Sequence, residues 1–424
     1  MARSYPKIRM LVTHLSFLLL IVTLGRTQTL SFSDCLRRAQ EVSFTVKARQ
    51  LRQKALEEHF RLEQARSRPR LFGELGMEDR RLSEYGFAQQ WLLLNVDWAL
   101  GNWLYKPFKE QEALALAVRE MVEWDRLHVL EMAAKFYIRL LQKEKEYRLL
   151  KEQYTLLRLH HKVTEALWRA GSKSELDVLQ TRAEILKIRE KMQKTLESEK
   201  ALSRELSIFL GLSPTDSLQL VYLNTQAICT QPFPPGDDSL ARANPMLRSL
   251  QWEINAQKWK TRQAQARRLP RVFASGGYFV DHDPTGDGNY WLTRVGVQIP
   301  LFLWNETRFQ EQAARVTGQS LTQKMHESQR TLHMRLVQTL TRLKQLKQSL
   351  KIQARRLNTL QKMLDLARSN YQAGLTTNLE FLNMQQQWTE AKIVYQTTEL
   401  DFVLALVEFY TLTNQPEKIL TLAH

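Results

Sequence analysis

One turn is written twice in this chain, as AGSKSELDVLQ at 170–180 and as AGLTTNLEFLN at 373–383. In both, an Ala-Gly pair is followed in the same register by a hydroxyl residue (Ser174, Thr377), a Leu (Leu176, Leu379), a carboxylate (Asp177, Glu380) and a second Leu (Leu179, Leu382). The duplication extends well beyond the turn. Pro69 aligns with Pro270, Phe72 with Phe273, Val96 with Val297, Leu100 with Leu301 and Trp103 with Trp304, all at an offset of 201 residues. Self-similarity at this period predicts two copies of one structural unit, which removes most alternative folds from consideration.

Each unit contains a long uninterrupted helical pattern. Residues 103–169 hold no Gly and one Pro, Pro107, in the first turns where a helix tolerates it. Residues 304–372 hold one Gly and no Pro, with Asn305 placed as an N-cap. At 1.5 Å per residue each would be a helix of roughly 100 Å. Apolar residues recur at alternating spacings of three and four, as in Leu127, Leu130, Ala134, Tyr137 and Leu141, and in Leu357, Leu360, Leu364, Ala367 and Tyr371, which is coiled-coil spacing. Shorter helices are expected at 33–67, 174–210, 240–269 and 377–412. The repeated turn then ends a long helix on a left-handed Gly and starts a shorter one on Ser174 or Thr377, with Asp177 or Glu380 completing a capping box.

Between the first short helix and the long helix of each unit lies a segment opened by a proline (Pro69, Pro270) and closed by a tryptophan (Trp103, Trp304). Trp291, Thr293, Val295, Val297 and Ile299 alternate with Leu292, Arg294, Gly296 and Gln298, and Leu92, Leu94, Val96 and Trp98 alternate with Asn95 and Asp97. That is the period of strands with unlike faces. Two hairpins, 71–100 and 271–301, give four strands per chain. The resulting layout is a leader at 1–27, a first repeat at 28–212, a Pro-rich linker at 213–238, a second repeat at 239–414 and a tail at 415–424.

The leader reads as an export signal: Arg3, Lys7 and Arg9 precede an apolar run, with no acid anywhere in it. Beyond it no 18-residue apolar segment occurs, so any membrane insertion must use strands. The formal charge is +17, but the cations are dispersed among acids on helices, as in LLQKEKEYRLLKEQ. A solvated helix surface accounts for them better than nucleic-acid binding does. Cys35 and Cys229 stand in no paired motif, which argues against a disulfide framework. The sequence has no phosphate loop, HExxH, GxSxG or close Cys/His set, so neither an enzyme nor a cofactor or metal site is expected. DHDPTG at 281–286 imitates the start of a calcium loop but has Leu292 where the ligating Glu belongs, and a polar hairpin loop is the better reading. His160 and His161 are adjacent, point to different helix faces and are expected to be surface residues.

Four amphipathic strands cannot close a membrane barrel alone. Several copies would be needed, and their helices would continue the barrel as a tube. A periplasmic coiled-coil scaffold or adaptor without a pore is the alternative, and it gives the strands with one apolar face no role.

The doubled Ala-Gly turn with its Leu-acid-x-x-Leu, the ANP at 243–245, the strand-opening Pro69 and Pro270, and the junction residues Trp103 and Trp304 together resemble the TolC-like outer membrane efflux proteins. The resemblance implies a mainly α protein with a membrane β-barrel. It implies a homotrimer with a twelve-stranded barrel in outer membrane lipid and a twelve-helix tunnel in the periplasm of a Gram-negative bacterium, docked at its tip to a periplasmic adaptor and an inner-membrane pump. On that reading Ala170, Gly171, Ser172, Ala373, Gly374 and Leu375 form the docking tip, and the periplasmic gate falls on Glu380 and Asn383. Ser43-Phe44 stands where the second repeat has Asn244-Pro245, so that turn has drifted in sequence.

Overall fold

The computed structural model describes residues 28–81, 86–214, 218–230, 243–282 and 288–422. The expected leader at 1–27 lies outside the described residues, as do much of the linker and most of the two hairpin loops. The elements run β1 (Gln28–Leu30), α1 (Phe32–Val42), α2 (Phe44–Arg66), β2 (Arg70–Arg81), β3 (Gly86–Ala99), α3 (Leu100–Tyr105), α4 (Phe108–Arg169), α5 (Glu175–Phe209), β4 (Leu218–Leu220), α6 (Thr225–Thr230), α7 (Pro245–Ala266), β5 (Arg271–His282), β6 (Tyr290–Gln298), α8 (Glu306–Gln372), α9 (Asn378–Leu412) and α10 (Pro416–Thr421).

The two long helices are α4, 62 residues, and α8, 67 residues. Both start later than the periodicity predicts. Before α4 the backbone turns through Lys106, at φ 45, into Pro107, so Trp103 belongs to the short α3. Before α8 both Trp304 (φ 45) and Asn305 (φ 62) are left-handed. Asn305 occupies the cap position but makes no side-chain capping bond. A capping side chain reaches the second or third helical N–H from an extended backbone, and Asn305 lacks one.

The first short helix is also divided. Ser43 takes φ −54 and ψ 112, its Oγ accepts from the Val46 N–H at 3.4 Å, and α2 starts afresh from it. Asn244 does the same for α7, accepting from the Met246 N–H at 3.0 Å, with Pro245 in the first turn. The residues that drifted between the repeats therefore do one job.

The four long strands form an antiparallel sheet in the order β2-β3-β5-β6. Its register aligns Leu92 with Tyr278 and Trp291, Leu94 with Gly276 and Thr293, Val96 with Ala274 and Val295, and Trp98 with Val272 and Val297. Both alternating sets from the sequence thus share one face, together with Leu71, Leu75 and Met77 of β2. This apolar face is uncovered: Leu75 is 80%, Trp291 79% and Val295 77% exposed. The opposite face carries Asp97, Asn95 and Arg294 among aromatic rings. There Trp91 lies across Gly76 of the next strand, where a Cβ would sit 2.2 Å from the indole, and Phe273 covers Gly296 in the same way. Glycine gives a large ring room to lie flat on the sheet. The 271–301 hairpin is shorter than expected, since β6 ends at Gln298 ahead of Pro300.

The helices form a wall. α2 and α5, one above the other, flank α4 on one side; α7 and α9, likewise stacked, flank it on the other; and α8 lies beyond them. At mid-height sits a cluster that includes Phe32, Leu36, Tyr137, Leu206, Leu400, Phe409 and Ile419. Two features of it were not expected. β1 pairs in parallel with β4, inside the expected linker, and the Tyr137 hydroxyl lies 2.6 Å from the Val221 carbonyl oxygen and 3.1 Å from that of Leu30. The tail expected at 415–424 forms α10 and buries Ile419 completely. Cys35 and Cys229 are both free, and burial pushes each thiol up to about 12.

Candidate functional site

At the end of the wall remote from the sheet, α4 turns into α5 and α8 into α9. Each turn is a Schellman motif. The Ser172 N–H donates to Leu167 O at 2.8 Å and the Gly171 N–H to Trp168 O at 2.8 Å, while Leu375 donates to Asn370 O at 2.8 Å and Gly374 to Tyr371 O at 3.1 Å. Gly171 and Gly374 adopt φ 76 and 77, and no heavy atom lies within 4 Å of where a Cβ would stand. Glycine is required here by backbone conformation and not by crowding. Ala170 and Ala373 end the long helices, and Ser172 and Leu375 are exposed, Leu375 at 78%.

The following helices open on reciprocal caps. The Asp177 N–H donates to Ser174 Oγ at 3.3 Å while Asp177 Oδ2 accepts from the Ser174 N–H at 3.2 Å. The Glu380 N–H donates to Thr377 Oγ1 at 3.2 Å while Glu380 Oε2 accepts from the Thr377 N–H at 3.0 Å. The carboxylate of Glu380 is thereby engaged, and Asn383, one turn on, is exposed.

A residue that sequence reasoning did not single out joins the two turns. Asn378, 1% exposed in the first turn of α9, donates from Nδ2 to Asp177 O at 3.0 Å and to Thr181 Oγ1 at 3.2 Å, both on α5. Its Oδ1 accepts from His160 Nε2 of α4 at 2.8 Å. Thr164, also of α4 and fully buried, bonds the Tyr371 hydroxyl of α8 at 3.3 Å. Four helices thus share one buried polar network, which tolerates no unpaired member. Lower down, Lys187 reaches Gln386 at 3.1 Å and Lys191 reaches Glu390 at 3.6 Å, again linking α5 to α9.

His160 is therefore not the surface residue its neighbour suggested. It is half-buried, with Phe381 at 4.6 Å and Tyr371 at 5.0 Å between ring centroids. Burial holds its imidazole below the ordinary value, and the bond it donates to Asn378 opposes that shift. The signal was present: Leu157, His160 and Thr164 keep the three-four spacing of the packed seam.

The strand-helix junctions are a separate place, some 90 Å from the turns along α4. Pro69 and Pro270 immediately precede β2 and β5. Trp103 is 58% exposed and meets Trp98 edge-on at 6.1 Å. Trp304 is 81% exposed and meets Phe302 at 4.5 Å. Among the described residues no helix is long and apolar enough to cross a membrane, and no His/Cys/Asp/Glu group is arranged to hold a metal.

A doubled helical wall standing on a four-stranded sheet with one bare apolar face is an architecture also found in solved outer membrane channels. The chain shares it with CusC, in a study of its folding and transmembrane channel formation (TM-score 0.79, 16% identity, covering 90% of this chain and 91% of that one). It shares it also with the CmeC outer membrane channel of Campylobacter jejuni (0.75, 13%, 92% and 89%) and with the outer membrane protein VceC of Vibrio cholerae (0.75, 15%, 90% and 96%). No curated protein matches the chain significantly. Residues 238–415, essentially the second repeat, match the family described as outer membrane efflux protein. With its second repeat matched to that family and its fold shared along nine-tenths of its length, the chain is similar to the TolC-like outer membrane efflux proteins.

Proposed function

We propose that this protein is the outer membrane exit duct of a tripartite efflux or type I secretion system, passively conducting what an inner-membrane pump and a periplasmic adaptor deliver to it. One observation carries the reading: the protomer is open at the same two sides in both layers. The sheet ends in β2 on one side and β6 on the other, and the wall ends in α2 with α5 and in α8. Unpaired strand edges with an apolar face cannot stay in lipid. Three copies joined edge to edge would close twelve strands into a barrel with the Leu75, Val295 and Trp291 face toward lipid, and would close the helices beneath it into a tunnel.

On this reading Trp103 and Trp304 sit at the inner lipid boundary, where exposed tryptophans are favoured. The paired turns are the tip that docks the adaptor through Gly171, Gly374 and their neighbours. Glu380 and Asn383 border the periplasmic gate. The test is the mass of the protein extracted from outer membranes in mild detergent. Three times the 49.8 kDa of one chain, less its leader, is the expected result, and a soluble monodisperse monomer would refute the reading.

A further inference from the structure

The charge of this chain is unevenly placed. α4 and α5 carry acids and bases in near balance, whereas residues 328–364 of α8 hold nine Lys and Arg and not one Asp or Glu. At 1.5 Å per residue that is about 55 Å of acid-free helix. Eight of the nine side chains are exposed and Lys347 is half-buried. No ion pair to a carboxylate is made by Arg330, Arg342, Lys351, Arg355, Arg356 or Lys362 among the described residues.

The cations also surround the helix. Its packed seam runs through Leu332, Leu336, Leu343 and Leu350. At 100° per residue Arg330, Lys344 and Lys351 fall to one side of that seam, and Arg335, Arg342 and Arg356 to the other. Whichever of these sides turns toward the axis of a closed tube, it presents cations without a carboxylate from the same helix. The neighbouring α9 offsets them only in part: of its five acids Glu390 is paired with Lys191 and Glu399 is buried against Thr225, which leaves three carboxylates against the nine cations.

We infer that the duct favours anionic solutes, with the acid-free stretch of α8, repeated in each copy around the axis, as the element that sets this preference. The inference rests on the duct reading above. Fixed charge lining a confined aqueous passage concentrates counter-ions and excludes ions of its own sign. Exposed charges are screened over about 10 Å at 0.1 M salt, so the preference should weaken as salt rises.

The experiment begins with the mass of the detergent-extracted protein, which tests assembly before any current is measured; a chain that forms no trimer overturns the duct and this inference with it. Trimers are then placed in planar bilayers under a KCl gradient. Wild type should show a reversal potential of chloride preference, and the triple variant Arg330→Gln, Lys351→Gln, Arg355→Gln should bring the chloride-to-potassium permeability ratio down to about one. Gln matches Lys and Arg in helix propensity, and none of these side chains has an ion pair to lose. A cation-selective wild type overturns the inference. So does an equal shift from Arg52→Gln, Arg182→Gln, Arg204→Gln on α2 and α5, which would assign the effect to net charge. For trimers that carry no current, anisotropy of pyrene tetrasulfonate with the detergent-solubilised protein is the readout. Binding that weakens with salt and in the α8 variant supports the inference, and binding equal in wild type and variant overturns it.

Discussion

Asn378→Ala should loosen the tip of the helical wall without touching its waist. The side chain is 1% exposed and makes three bonds at or under 3.2 Å, to Asp177 O, Thr181 Oγ1 and His160 Nε2. After truncation Thr181 Oγ1 still donates to Asp177 O at 2.8 Å, so that carbonyl is not abandoned. His160 Nε2 loses its shortest partner and keeps only Thr164 Oγ1 at 3.5 Å. Two effective losses at about 1 kcal/mol each give about 2 kcal/mol, or about thirtyfold in a local opening equilibrium.

The loss is local because the tip cluster of Leu157, Ile188, Tyr371 and Phe381 is separate from the waist cluster around Tyr137. Hydrogen exchange reads both in one experiment. Amides in the first two turns of α9 and α5 should exchange about thirtyfold faster, while those of α1 should keep their wild-type rates. Asn383→Ala, at an exposed position five residues on, is the control and should change neither. Unaltered exchange at the tip, or equal acceleration at the waist, would refute the bridging role of Asn378.

Four further outcomes follow from particular positions. Gly374→Val, which forces a β-branched residue to φ 77, should cost the turn about 1 to 2 kcal/mol and reduce crosslinking to the cognate adaptor while trimer yield holds; undiminished crosslinking with normal export removes the turn from the interface. Val295→Arg, on the apolar face of the sheet, should destabilise the trimer by about 2 to 4 kcal/mol at mid-bilayer depth, and an equal effect from Arg294→Ala would refute the assignment of faces. Glu380→Ala should lower the stability of the α9 start by about 1 kcal/mol where Glu380→Gln keeps it, and a Gln variant that also leaves ion selectivity unchanged in bilayers confines the residue to capping. Glu144 is pushed up to about 7, first by burial and then by the nearby Glu199, against the bond it receives from the Leu220 backbone. The folded protein therefore holds a proton that the unfolded chain releases near the usual carboxylate value, so stability falls as pH rises toward 7 and is flat above it. Glu144→Gln should raise the melting temperature at pH 8 and leave it unchanged at pH 4, and a pH-independent difference would contradict the shift.

The parts of this fold that were legible in the sequence are those in which a shift of one residue would be ruinous. The strands keep an offset of 201 because sliding by one residue would turn Val96 and Val297 to the polar face and Asn95 and Arg294 to the apolar one. The turns keep a left-handed Gly and a reciprocal cap because few other residues satisfy the orphan groups at a helix end. Between these fixed points the second unit has gained two residues, since Gly171 and Gly374 are 203 apart. Two residues rotate a helix face by about 200°. The long helices can absorb this because their surroundings differ: α4 packs on both sides, whereas α8 packs on one and leaves the other open.

What escaped the sequence lies where a local pattern has no fixed partner. The β1-β4 pair joins segments separated by 190 positions, and the Tyr137 hydroxyl bridges its end. The breaks at Lys106 and Asn305 come from left-handed residues that are not glycine, a conformation composition does not announce. Asn378 carries no signal in the duplicated motif, because its counterpart in the first repeat is Glu175. That asymmetry has a physical sense. A single polar side chain from one turn can satisfy groups on the other, while two facing copies of it would compete for the same buried space. The repeat supplies two equivalent turns, and the position at which they differ is the one that fastens them together.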